Sequence, residues 1–300
     1  MTSLRAQIDD IEDLVHEDVG RHVGALFTHT KGGLWSAARS LATAPSPRVG
    51  FITGFYIPAA DPPAAETDGP LGVALIARGL TRVGVPCRLA TDELCRTACE
   101  AALRGAGAGD VVVDAVAAGA PLENLIDRWR RQAFTHAVAV ERCGRCADGR
   151  KRGMRGNDIS PYTADLDALF VAGPWDTIAV GDGGNEIGMG SVPRHLIAEH
   201  VSNGDAIACV TPARHLVAAG VSNWGAYALI AALAVLRQDW RAAMLDCLAP
   251  AVHHAALETM VRQGPAVDGV FGTAAMSVDA IALPRHEAKL AAIRAVIGRG

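Results

Sequence analysis

Apolar and polar positions fall into blocks along the chain. "RVGFITGFYI" (48–57), "DVVVDAV" (110–116), "HAVAVE" (136–141), "DTIAV" (176–180) and "DAIACV" (205–210) are short, continuous apolar runs rich in valine and isoleucine. Runs of this length without polar alternation predict strands buried on both faces of a parallel sheet. "VPCRLAT" (85–91) is a weaker sixth.

Helical patterns separate these runs. "PLENLIDRWRRQ" begins at Pro121 and puts Leu122, Leu125, Ile126 and Trp129 on one stripe, and "ADLDALF" stacks Leu166, Leu169 and Phe170. "SNWGAYALIAALAVL" is apolar nearly all round, as a central helix is, with Ser222 or Asn223 as its cap. "SVPRHLIAEH" has Pro193 near its start, and "PAVHHAALETMVRQGP" stops at Gly264–Pro265. The βαβα order predicts an α/β protein with an open, mostly parallel, Rossmann-like sheet and helices on both faces. The first 45 residues read as a helical cap, "PAADPPAAETDGP" (58–70) as a loop rather than a linker, and residues 1–300 as one domain.

Half of the 300 residues are hydrophobic, enough for a sizeable core. A net charge of −4 and 5% aromatic residues give neither the electrostatic footprint nor the stacking platform of a nucleic-acid binder. "MTSLRAQIDDIEDLVHEDVG" carries acids where a signal peptide needs an apolar core, and the apolar run 226–236 is too short to span a bilayer. A cytoplasmic protein with no membrane partner is the expectation, and the seven scattered cysteines suit a reducing compartment.

In open parallel sheets ligands bind beyond the carboxyl ends of the strands, so candidate chemistry collects from those loops. They hold Thr53, Gly54, Glu66, Thr67 and Asp68; then Glu141, Arg142, Arg155, Asn157 and Asp158; then Asp182, Asn185 and Glu186; and finally Thr211, Ser222 and Asn223. "VGDGGNEIGMGSV" (180–192) joins a strand to a helix through five glycines. Its Asp182, Asn185 and Glu186 are close enough to share one hard divalent cation (Mn2+, Mg2+ or Ca2+), with Asp68 completing the set. A hydrogen-bonded network of acids without metal is the competing expectation. No GxxxxGK[ST] occurs, and the early acid in "GDGGNEIGMG" opposes a pyrophosphate, so no nucleotide cofactor is expected. Cys143–Cys146 lacks the second pair of a zinc site and reads as structural, and no GxSxG nucleophile elbow is present.

"TGFYIP", "ETDGPLGVALIARGL", "ERCGRCADGRKRGMRGNDIS", "GDGGNEIGMGSV", "VTPARHLVAAGVSNWGAYAL" and the late "GPAVDGVFG" with "SVDAI" together resemble the D-glutamate cyclase family. The blocks keep their order over a core of roughly 48–282, and the chain is similar to the family's shorter, freestanding bacterial members. The resemblance implies a hydro-lyase, a carbon–oxygen lyase of D-amino acid metabolism, that interconverts D-glutamate with 5-oxo-D-proline and water. Its partner is then a small molecule, with room for a homo-oligomer. Under that reading Glu141 is the base for the amine, and Asp182 and Glu186 polarise or protonate the departing oxygen. Arg142 and Arg155 offer guanidinium forks to the α-carboxylate. Thr53, Gly54, Thr67, Asp158 and Asn223 complete the substrate contacts, and Asp68, Asp182, Asn185 and Glu186 the metal set.

Two other readings stay open. "GDGGNE" resembles the acidic metal loop of haloacid-dehalogenase-type phosphatases, which points to a metal-dependent phosphoester hydrolase, although their nucleophile motif is replaced by "ITGFYIP". A non-catalytic amino-acid-binding protein on the same scaffold is the other.

Overall fold

A computed structural model describes residues 3–298. Three helices come first: α1 (Leu4–Val15), α2 (Gly24–Thr30) and α3 (Gly33–Thr43). Strand β1 (Val49–Ile52) is followed by a small antiparallel pair, β2 (Tyr56–Ile57) and β3 (Ala64–Ala65). Then come α4 (Pro70–Arg82), β4 (Cys87–Asp92), α5 (Arg96–Ala106), β5 (Val112–Val116), α6 (Glu123–Arg131) and β6 (His136–Val140). The chain continues through α7 (Leu166–Val171), β7 (Asp176–Gly181), α8 (Arg194–His200), α9 (Gly204–Ile207), β8 (His215–Ala218) and α10 (Ser222–Leu236). It closes with α11 (Arg241–Cys247), α12 (Pro250–Gln263), the hairpin β9 (Ser277–Val278) and β10 (Ile281–Ala282), and α13 (Leu283–Ile297).

Six parallel strands form one open sheet in the order β5-β4-β1-β6-β7-β8. The chain winds outward from β1 to β5, then returns past β1 and winds the other way. The switch point lies between β1 and β6, where doubly wound sheets open their ligand crevice. The sheet is thus α/β and Rossmann-like, as the pattern predicts.

Alternation along the strands separates two unequal faces. Val138, Val140, Ile178, Val180 and Val217 point into one core, which contains all of α10's buried side chains from Trp224 to Val235. Ala137, Ala139, Ala179 and Ala218 point to the other, where the small methyls leave space for Trp129, Phe134 and Trp175. Gly50 belongs to this arrangement: a Cβ there would stand 2.2 Å from the Trp129 ring. The stripe Leu122, Leu125, Ile126 and Trp129 packs into this second core.

Two strand expectations need correction. The run 48–57 breaks after Ile52, because Gly54 turns the backbone to φ +104° and Tyr56 pairs with Ala65 instead. "DAIACV" (205–210) is not a strand: Asn203 at φ +58° starts the short helix α9, and a Cβ on Gly204 would lie 2.0 Å from the Ile197 carbonyl oxygen. The last strand is "HLVA", paired in parallel with β7. The first three helices cover the β8 end of the sheet, and Gln7 Nε2 donates to the Val296 carbonyl at 2.8 Å, tying α1 to α13. Among the described residues no helix is long and apolar enough to cross a membrane.

Candidate active site

The loops after β1, β6 and β7 surround a cavity of about 300 Å³ over the switch point. Arg21, Glu66, Glu141, Asp182 and Asp279 supply charged groups, as does Arg155. Phe55, Tyr56, Ile57, Ile159 and Val270 form an apolar wall, and Met154, Arg155 and Asn157 come from the basic loop that follows β6.

Asp68, Glu141 and Asp182, all buried, each bring one carboxylate oxygen to a point where all three lie within 4.8 Å of one another. Local backbone geometry places them. Asp68 sits between two helix N-termini: its Oδ1 accepts from Asn223 N at 2.8 Å and Gly69 N at 3.0 Å, and its Oδ2 from Ser222 N at 3.1 Å. Asp182 Oδ2 accepts from the same Ser222 N at 2.9 Å. The first turn of α10 is therefore capped by carboxylates from two other loops, which also complement its helix dipole. Neither Ser222 nor Asn223 caps it, contrary to the sequence pattern, because both side chains are employed elsewhere. Ser222 Oγ donates to Glu141 Oε2 at 2.5 Å. Asn223 Oδ1 accepts from Gly69 N at 3.0 Å and Gly72 N at 2.8 Å, so it caps α4.

Glu141 leaves β6 at φ +41°, a left-handed conformation that non-glycine residues occupy at a cost. Gly69, at φ +88°, passes directly against it, and a Cβ there would lie 2.8 Å from the Glu141 Cβ. The two segments can approach only because residue 69 has no side chain.

Charge at the site is far from balanced. Arg21 pairs with Asp182 and, through Nη2 at 2.7 Å, with Asp279. Burial works against the Arg21 charge, but Asp182, Asp279, Glu141 and Asp68 outweigh it and keep the guanidinium charged. The acids are not compensated to the same extent. Burial, then the charge of Asp279, pushes Asp68 up to about 8 despite Arg21 and the N–H of Asn223. Burial, then Asp182, Glu186 and Asp68, raises Glu141 well above the carboxylate range. Burial likewise raises Asp182, with Arg21 opposing, and raises Glu66. At neutral pH this cluster retains protons or takes a cation.

Of the residues proposed from sequence, Glu141, Asp182 and Arg155 line the cavity. Arg155 is exposed and forms no ion pair among the described residues. Asp68 stands with the acids, one layer below. Glu186 works on the backbone instead, where its carboxylate accepts the N–H groups of Asp182 (3.1 Å), Gly183 (2.5 Å) and Gly184 (2.7 Å). It shapes the glycine loop from beneath and is not among the converging acids. Asn185 Nδ2 donates to the Arg152 carbonyl at 2.8 Å, binding this loop to the basic one. The converging acids are thus Asp68, Glu141 and Asp182 rather than a set drawn mainly from the glycine loop.

Arg142 is redirected most clearly. It is buried, pairs with Asp92, and donates to the Gly54 carbonyl at 2.8 Å and the Ala164 carbonyl at 2.7 Å, so it faces protein and not substrate. Asp158 is exposed outside the cavity and accepts from Ser160 N at 2.9 Å. Thr53 Oγ1 donates to the Val140 carbonyl at 2.6 Å and Thr67 Oγ1 to the Ser277 carbonyl at 3.0 Å. With Gly54 and Asn223 they are framework around the pocket. Cys143 and Cys146 are free, buried thiols, and burial raises both.

Sequence reasoning missed Arg21 and Asp279, gave Glu66 no role and gave Ser222 only that of a helix cap. Arg21 lies in "HEDVGRHVG", between α1 and α2, far from any strand end. The glycines on either side were its only local signal. Asp279 lies within "SVDAI", at the tip of the β9–β10 hairpin.

A doubly wound α/β protein with a buried carboxylate cluster in its switch-point crevice is the class that fold and site define. Within that class the chain belongs to the D-glutamate cyclase-like family: the family's C-terminal domain pattern, "D-glutamate cyclase-like, C-terminal", matches residues 11–294. The human protein named "D-glutamate cyclase, mitochondrial" is 31% identical over 259 residues, which cover 78% of this chain and 40% of that protein. The chain thus corresponds to about two fifths of that relative's length.

Proposed function

We propose that this chain is a lyase that interconverts D-glutamate with 5-oxo-D-proline and water in the pocket over β1 and β6, and that its N-terminal helices and sheet act as one unit. The observation that carries this reading is the convergence of three buried carboxyl groups, those of Asp68, Glu141 and Asp182, whose oxygens lie within 4.8 Å of one another and whose proton affinity burial raises. Ring closure joins the amine nitrogen to the γ-carboxyl carbon and expels one carboxyl oxygen. The ammonium gives up two protons, and the departing oxygen needs two to leave as water. No proton is consumed overall; the site has only to move them from nitrogen to oxygen. Carboxyl groups whose affinity for protons is raised above the ordinary carboxylate range by burial are suited to that relay.

Glu141, on the pocket wall and tied to Ser222, is the group we assign to take protons from the amine. Asp182, held by Arg21, faces the departing oxygen with Asp68 behind it. Arg155 at the mouth offers its guanidinium to the α-carboxylate, and the cavity holds the substrate folded for five-membered closure. The oxygen donors of Asp68, Glu141 and Asp182 also suit a hard divalent cation, because their like charges lie close and only partly compensated. When bound there, such an ion would supply Lewis acidity toward the γ-carboxylate.

Proton NMR of the purified protein with D-glutamate, L-glutamate and 5-oxo-D-proline, before and after chelation and with Mn2+ restored, tests the reading. Interconversion confined to the D series is the expected result. No turnover in any tube would remove it.

A further inference from the structure

The Arg21–Asp279 pair closes one side of the pocket, and neither residue is delivered by the sheet. Asp279 occupies the tip of the β9–β10 hairpin with Ala280, at φ +55° and +59°. Two consecutive left-handed residues without glycine need external support. It comes from two buried side chains. Asp268 accepts from Ala280 N at 3.1 and 2.9 Å and from Ser277 Oγ at 2.6 Å. On the other side, His286 Nε2 faces the carbonyls of Val278 at 3.3 Å and Ile281 at 3.1 Å, the two residues that bracket the tip.

The ring of His286 is oriented in turn. Trp224 Nε1 donates to its Nδ1 at 2.9 Å. An indole N–H can only donate, so Nδ1 is the acceptor and the ring proton sits on Nε2, aimed at the two carbonyls. Trp224 is on α10, two residues beyond the Ser222 that organises the acids. The same face of α13 reaches the other partner: Lys289 lies 4.4 Å over the Trp224 ring and donates to the Leu14 carbonyl at 2.5 Å and to Glu17 Oε2 at 2.6 Å, just ahead of Arg21.

We propose that His286 is a positioning residue for this site: held as its Nε2–H tautomer by Trp224, it sets where Asp279 stands against Arg21. The activity part of the test rests on the cyclase reading above, and a second part does not.

His286→Leu, His286→Gln, Asp279→Asn and the His286→Leu/Asp279→Asn double variant are compared with the parent for kcat and KM. In a folded His286→Leu, kcat falls about 10²-fold, the scale of an ångström-level misplacement. His286→Gln, which keeps an N–H donor of similar reach, recovers most of the loss. The double variant loses no more than Asp279→Asn alone, because His286 acts through Asp279. Additive losses, failure of glutamine to rescue, or a parent-like leucine variant would each overturn the proposal. Should the leucine variant not fold, His286→Asn replaces it; its shorter amide cannot span both contacts and the same loss is expected.

The turnover-independent part follows by NMR the Arg21 Nη2–H signal, the donor that meets Asp279. It is slow to exchange in the parent and the glutamine variant and exchanges faster in the leucine or asparagine variant. An unchanged signal overturns the positioning role. A changed signal in a protein that does not act on D-glutamate removes the cyclase reading and leaves the positioning role standing.

Discussion

Asp68 and Asp182 both accept a hydrogen bond from a single backbone N–H, that of Ser222, at 3.1 and 2.9 Å. Two carboxylate oxygens brought so near one donor repel unless a proton or cation lies with them. Arg21 supplies one positive charge on the Asp182 side, and Asp68 is left to hold a proton up to about pH 8.

Stability should therefore depend on pH in a direction opposite to that of ordinary salt-bridged acids. The folded chain binds the Asp68 proton more tightly than the unfolded chain, where the group returns to about 3.8. Its contribution is complete below that value and is lost as pH rises toward about 8, because the folded state then binds more protons than the unfolded one. Urea unfolding in the presence of a chelator should show stability falling between about pH 5 and pH 8. Asp68→Asn should flatten that slope.

The two acids of the glycine loop should separate by phenotype. Asp182→Asn removes the partner of Arg21 within the pocket and should lower kcat by about 10²-fold or more with modest loss of stability. Glu186→Gln weakens three charge-assisted backbone contacts, each of a kind worth about 1.5–3 kcal/mol, and should lower the melting temperature first. Steady-state kinetics and thermal melts on both variants decide it.

Arg142 and Arg155 should differ just as sharply. Arg142→Met leaves Asp92 buried without its charge partner and should destabilise the fold by about 3–5 kcal/mol. Arg155→Ala touches an exposed side chain and should raise KM about tenfold or more, with the melting curve unchanged. A stable Arg142→Met protein with a raised KM would reverse these assignments.

Divalent cation should stabilise the chain through the acidic cluster. At about 100 times its dissociation constant, Mn2+ should add about 2.7 kcal/mol to unfolding. The gain should disappear in Asp68→Asn and persist in Glu186→Gln. Calorimetry with and without the ion, at fixed pH, measures both.

Much of the fold was legible because the strands are buried on both faces and their valines and isoleucines stand out as continuous runs. The last strand was misread because "DAIACV" has the same composition as a strand, whereas the structure puts its first three residues in α9, where Gly204 packs against Ile197. Glu141, Asp182 and Asp68 were found because they directly follow strands or open a helix at the carboxyl edge. Arg142 has an identical position in sequence and points the other way; nothing in "ERCGR" records that Asp92, fifty residues earlier, is waiting for it. Arg21 and Asp279 escaped for a related reason. They meet each other across the pocket from opposite ends of the chain, and no local pattern encodes such a meeting.

Glu141 carries a further consequence. It keeps its carboxylate in place from a backbone shape that glycine would adopt freely, and it sits among like charges that disfavour its ionised form. Replacing it with glycine would release roughly 1 kcal/mol of backbone strain and remove a repulsive neighbour at the same time. Heat-tolerance selection alone would therefore reward the loss of this side chain, and on the proposed reading a hardier protein bred in that way would lack the base for the amine. Any programme to toughen this molecule has to screen for turnover at every round.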